Sequence, residues 1–82
     1  MPYIDRKTKD ELLHGEITPQ NAGQLNYIIT KKILEYLKTK GESYQAFNDV
    51  LGVLTATPLE LYRRRIAYYE DKKIKDNGDV YD

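Results

Sequence analysis

Eighty-two residues leave room for one domain with a thin core, because a chain of this length buries only somewhat more than roughly 60% of its unfolded surface. Thirteen basic and thirteen acidic residues cancel, and residues 60–82 hold six of each, so the surplus of Lys and Arg that general nucleic-acid binding needs is missing. The absence of cysteine excludes disulfides, Cys-ligated zinc, iron–sulfur clusters and a thiol nucleophile, and it leaves the redox compartment unassigned.

In chain order, Asp5 is a candidate N-cap for a short helix over about residues 5–13, with Ile4 outside it and Leu12 and Leu13 as inward contacts. His14 to Ile17 reads as a connector. A long helix follows over about 19–40, starting at Thr18-Pro19 or, equally well, at Asn21 with Gln24 three residues on. Leu25, Ile29, Ile33, Tyr36 and Leu37 share a stripe on it, and Gly41 closes it. Ser43 caps a third helix over about 43–56. Its apolar positions Tyr44, Phe47, Val50, Leu51, Val53 and Leu54 cover about half the circumference, the pattern of a helix at the centre of a fold.

Thr57-Pro58-Leu59-Glu60 is a capping-box sequence with proline at the first helical position. It predicts a fourth helix over about 58–75, with a kink of the third helix as the alternative. Asn77-Gly78 ends that helix, as a cap or as the turn of a small hairpin between Ile74 and Val80-Tyr81, and 76–82 forms a tail. The expected architecture is all-α: a single domain, a bundle of three to four helices. No apolar run approaches the ~18 residues of a membrane span, and no apolar segment follows the charges behind Met1, so a soluble cytoplasmic protein with no membrane partner is expected.

Tyrosine dominates the aromatics, eight against one phenylalanine, and suits cores, interfaces and pockets alike. At about 100° per residue, two helices show a second face. Tyr27 and Leu34 lie nearly opposite Leu25 and Tyr36, flanked by Lys31 and Lys38. Leu61 and Tyr68 lie opposite the inner stripe of Leu59, Tyr62, Ile66 and Tyr69, between Arg64 and Arg65. These outer residues are buried within a small bundle, stand singly on the surface as apolar residues ordinarily do, meet a different protein, or form the interface of a homo-oligomer; a thin core favours the last.

Arg63, Arg64 and Arg65 point in three directions on a helix. Arg63 falls near the inner arc, with Glu70 seven residues on along nearly the same line. A charge there must be paired or must meet an anion. The structural account is an ion pair. The functional one is an anion site in which Arg63 to Arg65 grip phosphate or carboxylate beside Tyr62 and Tyr69. Asn26 and Asn48 fall at the edges of apolar faces, as buried amides bonded across helices or as ligand contacts. Glu70-Asp71-Lys72-Lys73 reads as a solvated helix end.

Catalytic and metal chemistry finds little support. His14 is the one histidine, so neither a His-based triad nor a multi-His metal site forms within one chain. Counting back from Gly78 puts Lys73 and Lys75 where a calcium loop needs carboxylates. No phosphate-cradling glycine loop is present, and Ser43 reads as a cap. Neither catalysis nor a cofactor is expected.

The stretches Met1 to Ile4 (MPYI), Leu25 to Thr30 (LNYIIT), Ser43-Tyr44 leading to Gly52-Val53-Leu54, Glu60 to Arg64 (ELYRR) and Tyr69 to Tyr81 (YEDKKIKDNGDVY) span nearly the whole chain. Through them the sequence resembles a family of short uncharacterised proteins from bacteria and tailed phages, a domain of unknown function. It departs from the pattern at Pro58 and at Tyr68, where relatives often carry proline. The resemblance implies a phage or prophage setting, hence host cytoplasm, where small oligomeric proteins bind host factors or sequester signalling nucleotides. The leading expectation is a homo-oligomer holding an anionic small molecule, of nucleotide type, at an Arg/Tyr-lined subunit boundary. A module that inhibits or adapts a host protein is the alternative. A helix-turn-helix DNA reader is a third, disfavoured by neutral charge and by Glu70-Asp71.

Overall fold

The computed structural model describes residues 4–81; Met1, Pro2 and Tyr3 of the MPYI stretch lie outside them. The regular structure of the described residues is helical, with no strand among them. The elements are α1 (Arg6–Leu13), α2 (Ala22–Lys40), α3 (Tyr44–Leu61), a π-turn (Tyr62–Ile66) and α4 (Ala67–Asn77). The chain divides into two compact units, Met1–Ala46 and Phe47–Asp82.

In the first unit, local capping sets the helix ends. The Asp5 carboxylate accepts from the Thr8 amide at 2.7 Å, and this bond holds its carboxyl below the ordinary 3.8. Of the two candidate starts for α2, Asn21 is the cap: its side chain accepts from the Gln24 amide at 2.9 Å. The Gln24 side chain reaches back one residue further than a capping box requires and accepts from the Gln20 amide at 2.8 Å. Gly41, at φ 82°, ends α2 with its amide on the Leu37 carbonyl, and the Ser43 hydroxyl accepts from the Ala46 amide to start α3.

Helix α1 packs on α2. Leu12 and Leu37 are buried, at 4% and 8% exposure, but Leu13 points to solvent. The α2 face that is covered carries Gly23 and Leu37, both buried, and Tyr27 and Thr30, both half-buried. Tyr27 is one of the residues expected on the outer face. Its ring lies between two ammonium groups, Lys9 of α1 at 5.8 Å and Lys31 at 5.7 Å from the centroid. Of the expected inner stripe, Leu37 is buried and Ile33 half-buried, whereas Leu25, Ile29 and Tyr36 face solvent.

The second unit differs most from expectation. Helix α3 does not stop at Thr57 but runs on through Pro58 to Leu61, and the helical state continues through the π-turn to Asn77. The expected break between helices over 43–56 and 58–75 is absent. Proline removes one amide donor, the one that would bond Leu54, but its fixed φ is itself helical, so the path survives the lost bond. Nor is α3 a central helix: of its residues Ala46 alone is buried, and Phe47, Leu51, Val53 and Leu54 are all exposed. The C-terminus follows the cap reading, with Gly78 at φ 85° and its amide on the Ile74 carbonyl at 2.8 Å.

Candidate functional site

The π-turn decides where the arginine cluster points. The Ala67 amide bonds the Tyr62 carbonyl five residues back, so this turn holds one residue more than an α-turn and everything beyond it lags by about 100°. On an unbroken α-helix Glu70 would stand over Arg63, and Tyr62 would be about 80° away. In the structure Glu70 instead meets Tyr62, whose hydroxyl donates to the Glu70 carboxylate at 3.3 Å across eight residues.

Arg63 consequently has a different partner, lying 3.9 Å from the Glu60 carboxylate with a side chain 78% exposed. The expectation of a charge near a buried arc does not hold for it. Arg64 takes the other Glu60 oxygen, its Nε donating at 2.8 Å. One carboxylate thus serves two guanidiniums. Both pairs are exposed and contribute well under about 1 kcal/mol each. Arg65 forms no ion pair among the described residues and is exposed. Arg63 to Arg65 with Glu60 form a surface band with surplus positive charge rather than an enclosed pocket.

The other candidate residues are equally open. Tyr69 is exposed and lies under the Lys73 ammonium, 5.5 Å from its ring centroid. Asn26 and Asn48 are exposed, so neither is a buried amide, and the Asn26 carbonyl accepts from the Thr30 hydroxyl at 2.8 Å. Leu34, Leu61 and Tyr68 are exposed. A surface concavity lies on α1 and the turn after it, lined by Arg6, Lys7, Asp10, Glu11 and Glu16, and involves none of these residues. Among the described residues no group of three or more His, Asp or Glu converges.

A family model described as a domain of unknown function, DUF6899, matches residues 1–80. The chain belongs to that family. No curated protein and no solved structure matches it. Among the described residues of this DUF6899 chain, no helix is long and apolar enough to cross a membrane.

The Tyr62–Glu70 contact has a titration consequence. The negative charge of Glu70, followed by its hydrogen bond, pushes the Tyr62 hydroxyl above its ordinary 10.0. Tyr62 therefore stays protonated to higher pH than an exposed tyrosine should. In Glu70→Gln the charge is gone and one of the eight tyrosines titrates earlier, by tyrosinate absorbance. An unchanged curve would mean that the two side chains do not meet in solution.

Proposed function

We propose that this chain is a self-associating, non-catalytic helical protein: the exposed apolar face of α3, the π-turn and α4 is its assembly surface, and the Arg63–Arg65 band beside Tyr62 and Tyr69 takes an anionic small molecule at the subunit boundary. The observation that carries the reading is that the second unit has no buried residue among those described, while Phe47, Leu51, Leu54, Leu61, Tyr62, Ile66 and Tyr69 stand exposed along it. Apolar surface of this extent on consecutive helical turns marks an interaction site, and a helix without tertiary packing is marginal in water.

The anion arm of the reading rests on the charge count of the band, three guanidiniums against one Glu60 carboxylate, held by exposed pairs that a phosphate can replace bidentately. In a phage-encoded setting such a protein would sequester a host nucleotide signal as an anti-defence device.

Sedimentation from low to high micromolar concentration tests the assembly: a concentration-dependent oligomer is expected. A strict monomer throughout would transfer the surface to a different protein, the host-factor alternative. A thermal-shift screen with inorganic phosphate, pyrophosphate and nucleoside mono-, di- and triphosphates tests the ligand, with stabilisation by one phosphate class expected and lost in Arg64→Ala. An absence of any shift removes the anion arm and leaves the assembly standing.

A further inference from the structure

The apolar face has an internal symmetry that specifies its partner. Phe47, Val50, Leu54, Leu61, Ile66 and Tyr69 are separated by 3, 4, 7, 5 and 3 residues. The step of five, from Leu61 to Ile66, runs into the π-turn, which holds one residue more than an α-turn. In helical phase the steps are therefore 3, 4, 7, 4 and 3, the same from either end. The six side chains fall within about 60° on either side of a common line, and Leu51 and Tyr62 lie at its edge. Without the π-turn, Ile66 would stand about 100° off that line.

A face whose spacing is unchanged on reversal meets itself residue for residue when two copies run in opposite directions, an isologous arrangement open to a two-fold dimer beside the parallel one. We propose that α3, the π-turn and α4 pair antiparallel with the same segment of a second copy, about a two-fold axis between Thr57 and Pro58. Leu54 then faces the second copy's Leu61, Val50 its Ile66, and Phe47 its Tyr69. This deepens the self-association reading and rests on it.

Charge selects the antiparallel direction over the parallel one. Residues 47–60 carry two acids, Asp49 and Glu60, and no base, whereas 61–77 carry six bases and three acids. Antiparallel pairing sets the acidic half against the basic half; a parallel pair would set basic against basic. The area also suits a second copy. Taking about 200 Å² for a fully exposed large side chain, the exposures of Phe47, Leu51, Leu54, Leu61, Tyr62, Ile66 and Tyr69, between 38% and 61%, amount to roughly 700 Å². A stable interface takes about 800 Å² from each partner.

The chain has no cysteine, so Lys75→Cys and Ala56→Cys each give a unique site for a nitroxide, on exposed positions of the helix side away from the apolar face. Dipolar spectroscopy is performed at a concentration where sedimentation reports the oligomer. At 1.5 Å per residue, antiparallel pairing about the Thr57–Pro58 axis puts the two Lys75 labels about 50 Å apart, and the two Ala56 labels within about 30 Å. A Lys75 distance below about 30 Å in an intact oligomer overturns the antiparallel register and leaves self-association in place. Sedimentation as a strict monomer overturns both.

Discussion

In Leu54→Asp the self-associated species disappears at concentrations where the parent chain is fully assembled, with the dissociation constant raised on the order of 10⁴-fold. In a two-fold pair each substitution occurs twice, and each places a carboxylate against the apolar side chain of the second copy's Leu61. An uncompensated buried charge costs about 3 kcal/mol or more, so two cost about 6, and every 1.4 kcal/mol is about tenfold. Helicity should fall with assembly, because a helix with no buried residue from Phe47 to Asn77 depends on its partner for stability. Leu59→Asp is the control, since Leu59 is 66% exposed and lies about 120° from the line of the apolar face. Analytical ultracentrifugation and circular dichroism at matched concentrations distinguish the outcomes. Equal loss in both variants would show that charge anywhere on the helix disrupts it, and the face would lose its special standing.

Leu12→Ala should release α1 from α2. Leu12 is the one buried residue of α1, and removing a buried leucine side chain costs about 2–5 kcal/mol. Helix α1 has eight residues, well below the roughly 12–15 at which an isolated helix becomes marginal, so it cannot persist undocked. Hydrogen exchange of the α1 amides should accelerate at least about 30-fold, the factor for 2 kcal/mol, while α2 keeps its protection through its own caps. Leu13→Ala, at a residue 47% exposed, should change exchange little. Equal acceleration in the two variants would mean that α1 is held by something other than the Leu12 contact.

What the sequence disclosed, and what it hid, follows the range of the forces involved. Caps act over three or four residues, and Asp5, Asn21 with Gln24, Gly41, Ser43 and the Asn77-Gly78 stop were all legible because their partners lie within one turn. Which face of α2 is covered was legible only in part, at Ile33 and Leu37. The helical wheel gave two apolar stripes, and the choice depends on where α1 docks, a contact that leaves Leu25 and Tyr36 in solvent and half-buries Tyr27 between Lys9 and Lys31.

Proline was misleading at Pro58 for a related reason. The capping-box letters are satisfied equally by a helix that begins there and by one that passes through, and local pattern does not separate the two. The π-turn had no signature of its own in Tyr62 to Ile66. Its one trace was a conflict of phase: the inner stripe drawn on an ideal wheel mixed Leu59, which the structure leaves widely exposed, with Ile66, among the least exposed of the large side chains there. The same slip misassigned Glu70 to Arg63 and made a buried ion pair seem necessary where an exposed arginine shares Glu60. The candidate site was therefore legible as a set of residues but not as a geometry.

The surplus residue in the Tyr62–Ile66 turn has a consequence for how the family can vary. A deletion of one residue anywhere in Phe47 to Leu61 would rotate half of the apolar face away from the other half. A deletion of one of Arg63, Arg64 or Arg65 would only let the wide turn relax to an ordinary one, and Ile66 and Tyr69 would keep their alignment with Leu61. Length changes of one residue among relatives should thus gather in this turn, where the helix already has the means to absorb them.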